Sequence, residues 1–147
     1  MIPEGALLLL DTNVLIALVR ENALGRQIES TIGVRTRAER PIISIVTVGE
    51  SLGLARQFEW APAKTERLRA LLTALVVVDV SRAGVTDRYA EITDYSRRAG
   101  RTIGDNDRWI AATASVTSAW LVTTDKDFDP LHPKFVNRIW INPAGDK

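Results

Sequence analysis

The sequence predicts an α/β fold: a mostly parallel central sheet with helices on both faces, a three-layer α/β/α sandwich. Three observations lead there. Short runs of Leu, Ile and Val alternate with segments of helical periodicity, the pattern of βα units. The first run, ending at Leu10, is continuously apolar, as expected of a strand buried on both faces, and it stops abruptly at Asp11. Four stretches scattered along the chain each bring a carboxylate to the end of an apolar run or the start of a helix. In an open α/β sheet, that is the rim where ligands bind.

The elements follow in order. Residues 6–10 are the first strand, with helices over about Asn13–Arg20 and Leu24–Thr31. Ile42–Val46 is β-branched and predicts the second strand. A helix from about Thr47 carries Leu52, Leu54, Ala55 and Phe58. Pro62 suits a helix start, and Leu68, Leu71, Leu72 and Leu75 recur at helical spacing after it. Leu75–Val80 is the third strand, and Ala83–Ala99 a polar-faced helix stopped by Gly100. Asp105–Ser118 is a helix, Trp120–Thr124 a strand, and Arg138–Asn142 a short last strand after a Pro-containing loop.

At 147 residues the chain fits one domain, residues 1–147, and can bury roughly two-thirds of its unfolded surface. It has no cysteine, which excludes disulfides and thiolate metal sites and is compatible with a reducing, cytoplasmic location. A net charge of +1 is far from that of a dedicated nucleic-acid binder, so any such contact must rest on local clusters. No apolar run is long enough to span a membrane. Glu4 stands where a secretory leader would carry positive charge, so no such leader is expected. Gly-rich nucleotide-binding loops are absent.

The four acid-bearing stretches are the candidates for chemistry. Asp11 ends what should be a central strand; a plain N-cap is its rival role, although Thr12 and Asn13 could cap instead. Glu50 completes Thr47-x-x-Glu50, which also matches a capping box. Asp107 falls in register with Ile110, Ala111 and Ala114, the stripe that packs on the sheet, whereas Asp105 is placed to cap the same helix. Asp125 is nearest the end of the fourth strand, with Thr123 or Thr124 giving a hydroxyl to the same rim; Asp127 is a further acid, and Asp129 before Pro130 has the chemistry of a turn. Carboxylates gathered at one spot repel each other unless a hard cation holds them, and their oxygens suit Mg²⁺ or Mn²⁺.

Leu-Leu-Asp-Thr-Asn at the start, Thr-Val-Gly-Glu after the second strand, Asn-Asp-x-x-Ile-Ala-Ala-Thr-Ala, and Leu-Val-Thr-Thr-Asp-Lys-Asp-Phe together resemble the PIN domain. In detail they are similar to the VapC-type ribonuclease toxins of bacterial toxin–antitoxin pairs. The resemblance implies a PIN-like sandwich with an acidic pocket for Mg²⁺ or Mn²⁺, endonucleolytic cleavage of RNA such as tRNA or rRNA, neutralisation by a cognate antitoxin, and a homodimer. It places the four family acids on Asp11, Glu50, Asp107 and Asp125 as catalytic and metal-binding residues, with Asn13 beside the first and Asp127 available near the fourth. Asp105 is an extra acid beside the third motif and leaves open which of Asp105 and Asp107 touches metal.

RNA must be held against such a pocket. Arg97, Arg98 and Arg101 form one basic cluster, Arg35, Arg37 and Arg40 another, and Arg108 and Lys126 lie beside candidate ligands. The four tryptophans are expected to pack rather than stack on bases, and the lone His132 to be a loop residue. A haloacid-dehalogenase-like phosphohydrolase wants Asp-x-Asp where Asn13 stands, and a response-regulator-like domain wants an acceptor Asp absent from Val80-Ser81-Arg82. A catalytically silent scaffold of the same fold is the remaining alternative.

Overall fold

A computed structural model describes residues 2–145. Five parallel strands form one sheet in the order β3-β2-β1-β4-β5. They are β1 (Leu8–Leu10), β2 (Ile42–Ser44), β3 (Val76–Val78), β4 (Trp120–Thr123) and β5 (Asn137–Trp140). The helices are α1 (Thr12–Arg20), α2 (Ala23–Ile32), α3 (Ile45–Gln57), α4 (Pro62–Ala74), α5 (Val85–Arg98) and α6 (Asp105–Thr117), with a 3₁₀ turn over Lys126–Leu131. The expected three-layer architecture is therefore present. Among the described residues, no helix is long and apolar enough to cross a membrane.

Alternation along the strands divides the core in two. In β1, Leu8 and Leu10 pack with α1, α2 and α4, while Leu9 faces the opposite cluster around α5 and α6. Burying a Leu side chain is worth about 1.5–3 kcal/mol, so three consecutive leucines make β1 the natural centre of the sheet. β2 and β4 follow the same rule, with Ile43 and Val122 on the first side and Ile42 and Leu121 on the second.

Two boundaries differ from the sequence expectation in ways that matter for the site. β2 ends at Ser44, not Val46, because the Ser44 hydroxyl accepts from Val46 N at 3.1 Å and starts α3 there. A local cap overrides the strand propensity of Ile45 and Val46. α6 is capped at Gly104 without a side-chain hydrogen bond, so Asp105 is not the N-cap. Smaller shifts occur elsewhere: β3 ends at Val78, and α5 starts after Gly84, whose φ of 90° suits only glycine well.

The register of β1 on β4 pairs Leu10 with Val122, and Asp11 N donates to Val122 O at 3.0 Å. The residue after β1 thus lies beside the end of β4.

Candidate metal centre at the carboxyl edge of the sheet

Asp11 follows β1 and is 4% exposed. It does cap α1, accepting from Thr12 N at 2.8 Å, so the capping role expected of Thr12 or Asn13 falls to Asp11 itself. Its other oxygen accepts from Thr123 Oγ1 at 2.7 Å. The acid therefore caps a helix and faces the rim at once. Burial is the main force that pushes its pKa up to about 6; the hydrogen bonds from Thr123 and Thr12 oppose this, and the charges of Glu50 and Asp125 add to it.

Glu50 lies in the second turn of α3. Because α3 is capped by Ser44, Thr47 is already helical, and the capping-box reading of Thr47 and Glu50 is overturned. Glu50 is held instead by two distant partners. Thr12 Oγ1 donates to Oε1 at 2.7 Å, and Asn106 Nδ2 donates to Oε2 at 2.9 Å. The Thr47 hydroxyl is 3.1 Å from that of Thr12. Sequence reasoning missed Thr12, Thr47 and Asn106; the available signal was that Thr12 and Asn106 directly adjoin the acids of their motifs.

Asp107 sits in the first turn of α6, half-buried, above Ile110, Ala111 and Ala114, all of which are fully buried as the stripe required. Its pKa is pushed up to about 7, first by burial and then by the charges of Asp11, Asp125, Glu50 and Asp127. Asp125 follows β4, donates its backbone N–H to Thr123 Oγ1 at 3.0 Å, and caps the 3₁₀ turn by accepting from Asp127 N at 2.8 Å. Asp127 is exposed, and the neighbouring Asp125 charge is the first cause raising its pKa.

One carboxylate oxygen from each of Asp107, Asp125 and Asp127 falls within 4.8 Å of the other two. Asp11 and Glu50 lie close enough to raise Asp107 electrostatically but are outside that triad. Three carboxylates at this separation destabilise one another without a cation between them, and all the donors are hard oxygens. The residues present thus fit a divalent ion of the Mg²⁺ type.

The remaining candidates separate clearly. Asp105 is paired with Arg108, with Tyr89 OH at 3.5 Å, and does not join the triad. Asn13 is exposed on α1 and makes no side-chain hydrogen bond among the described residues. Arg97 and Arg98 both pair with Asp94, at 3.0 and 2.9 Å. Arg108 also donates to Thr93 Oγ1 at 2.8 Å and lies over the Tyr89 ring, a position that ties α6 to α5. Arg37 is spent on the carbonyls of Ile32 and Ala6. Arg101 and Lys126 are exposed and belong to no ion pair among the described residues. Trp109 stacks on Tyr89 at 3.9 Å, and His132 is a loop residue whose Nδ1 accepts from Arg138 N, as expected.

A family model described as the PIN domain matches residues 8–131. No curated protein sequence matches the chain significantly. Among solved structures, VapBC2 from Rickettsia felis, bound to a promoter DNA fragment, is similar with a TM-score of 0.75 at 21% identity, over 90% of this chain and 97% of that one. FitAcB from Neisseria gonorrhoeae gives 0.72 at 25% identity, over 90% and 96%. VapBC-5 from Mycobacterium tuberculosis, a member of the VapBC family of toxin–antitoxin systems, gives 0.66 at 23% identity, over 93% and 100%.

Proposed function

The chain belongs to the PIN domain family, and from that premise we propose that it is a divalent-metal-dependent endoribonuclease, the toxin of a toxin–antitoxin pair. PIN domains are nucleases, so hydrolysis of nucleic acid is the activity that membership carries. The observation that supports the finer reading most is the triad of Asp107, Asp125 and Asp127 within 4.8 Å, flanked by the hydrogen-bonded carboxylates of Asp11 and Glu50.

Asp107, Asp125 and Asp127 would hold Mg²⁺ or Mn²⁺ directly, while Asp11 and Glu50 line its rim. When bound, such an ion lowers the pKa of an attacking water and offsets charge on the phosphodiester. The protein's own residues set the geometry. Thr123 aims Asp11 and fixes the backbone of Asp125, so one hydroxyl aligns two acids from neighbouring strands. Thr12 and Asn106 immobilise Glu50, leaving it oriented to accept a proton from the nucleophile. No histidine takes part: His132 is committed to the loop before β5.

RNA as substrate, the cognate antitoxin as partner, a homodimer and a cytoplasmic location belong to the same reading. The antitoxin is supported by similar structures such as VapBC-5, a member of a toxin–antitoxin family; the rest are carried by the resemblance. The phosphohydrolase alternative is disfavoured, since the chain belongs to the PIN domain family and Asn13 stands where that chemistry wants an aspartate. A silent scaffold is disfavoured by the complete set of acids.

Incubating the purified chain with total RNA, with Mg²⁺, Mn²⁺ or EDTA, and mapping the ends tests the proposal. Discrete internal cuts that vanish in EDTA and in Asp107→Asn are expected. Undiminished cleavage in EDTA would overturn it.

A further inference from the structure

A polar cleft of about 640 Å³ opens beside the triad. Arg101, Thr102 and Ile103 of the α5–α6 loop line one wall, and Lys126, Asp127 and Asp129 of the 3₁₀ turn line the other. Asp127 belongs both to this cleft and to the triad, so the two are continuous. The volume lies within the roughly 300–1,000 Å³ of ligand pockets, but the lining is polar rather than apolar, which suits a charged chain more than a small hydrophobic molecule.

The charges in the cleft are not self-compensated. Asp129 is taken by Arg138 Nε at 2.5 Å. Arg101 and Lys126 face no carboxylate within ion-pair distance among the described residues, although the acid triad is nearby. Of the candidate cations nearest the acids, Arg97 and Arg98 pair with Asp94 and Arg108 with Asp105, whereas Arg101 and Lys126 make no ion pair among the described residues. Both walls are anchored. Ile103 is buried in the α5–α6 core, which ties the loop down. Lys126 Nζ lies 4.5 Å from the centroid of the Trp140 ring, whose Nε1 is held by Thr124 O at 3.1 Å. A cation held this way loses less freedom on binding.

We infer that this cleft seats the phosphodiester backbone of single-stranded RNA next to the scissile phosphate, with Arg101 and Lys126 as positioning residues. The inference rests on the nuclease reading above and specifies on which side of the triad the strand runs. The triad itself repels phosphates, so attraction for the flanking backbone must come from such cations. Trp140 does not serve as a stacking platform here, because Lys126 covers its face.

The test separates binding from cleavage. In an Asp107→Asn background, a short fluorescent single-stranded oligoribonucleotide is titrated against the parent, Arg101→Ala/Lys126→Ala, and a matched control, Arg56→Ala/Arg69→Ala, that removes the same charge from α3 and α4. The cleft variant should bind about tenfold more weakly, and the slope of log K against log salt should fall by about 1.4, since each single-strand phosphate contact contributes about 0.7. Arg101→Lys alone, with Lys126 intact, should keep most of the parent slope. An unchanged slope, a loss no greater than in the control, or no RNA binding by the parent would overturn the inference. If the binding loss appears as expected while the chain with Asp107 intact cleaves no RNA, the cleft assignment stands and the nuclease reading falls.

Discussion

Thr12 Oγ1 donates to Glu50 Oε1 at 2.7 Å, joining the first turn of α1 to the second turn of α3 across 38 residues of sequence. With Asn106 on the other oxygen, the bond explains how a mid-helix glutamate is held at the rim beside Asp107. Thr12→Val should therefore lower metal-dependent cleavage about 10–100-fold, the usual cost of losing a group that orients a metal-site acid. Thr12→Ser should retain most of it. Equal activity of Thr12→Val and the parent would show that Glu50 needs no such restraint.

Asp11→Asn should abolish cleavage and yet raise stability in EDTA. The carboxylate is buried and its pKa is raised from 3.8 to about 6, so at neutral pH ionisation costs folding on the order of 2–3 kcal/mol. Asparagine keeps an acceptor for the Thr12 N–H while removing the charge. A gain of several degrees in Tm is expected; a large loss would mean that capping outweighs charge.

The pH dependence of metal-free stability has a definite sign. Asp11 and Asp107 have folded pKa values above the unfolded carboxyl value, at about 6 and about 7, so between about pH 4 and pH 7 the folded state holds more protons. Stability must then fall as pH rises through that window. Thermal melts in EDTA should show a lower Tm at about pH 8 than at about pH 5, and Mg²⁺ should recover most of the difference because it replaces the protons. A Tm that rises with pH in EDTA would contradict the electrostatics.

Asp127 and Asp129 should behave differently despite being two residues apart. Asp127 shares the triad, so Asp127→Asn should weaken Mg²⁺ binding, read as a higher metal concentration for half-maximal activity. Asp129 is committed to Arg138, so Asp129→Asn should leave that concentration unchanged. Similar effects of the two changes would mean that the triad is wrongly drawn.

Much of the site was legible because its signals are local. A continuous leucine run that ends in an acid, and an acid heading the Ile110–Ala114 stripe, need only strand and helix periods to be recognised. Glu50 was harder, since Thr47-x-x-Glu50 mimics a cap and only the Ser44 hydroxyl bond shows that α3 begins earlier. Asp105 was misplaced for a related reason: its pairing with Arg108 leaves the capping position to Gly104. The basic residues were misjudged although the signal was local: Asp94 stands three and four residues before Arg97 and Arg98 on the expected helix, and it pairs with both.

By itself, the sequence determined the alternation of strands and helices and the acids that follow β1 and β4 or open onto the same rim from α3 and α6, since both depend on residue type and spacing along one segment. Only the tertiary structure decided that Asp107, Asp125 and Asp127 lie together, that Thr12 and Asn106 hold Glu50, and that Arg101 and Lys126 make no ion pair among the described residues. Those facts are distances between side chains on separate elements. They are set by the order β3-β2-β1-β4-β5 and by how each helix crosses back over the sheet, which no single stretch of chain encodes.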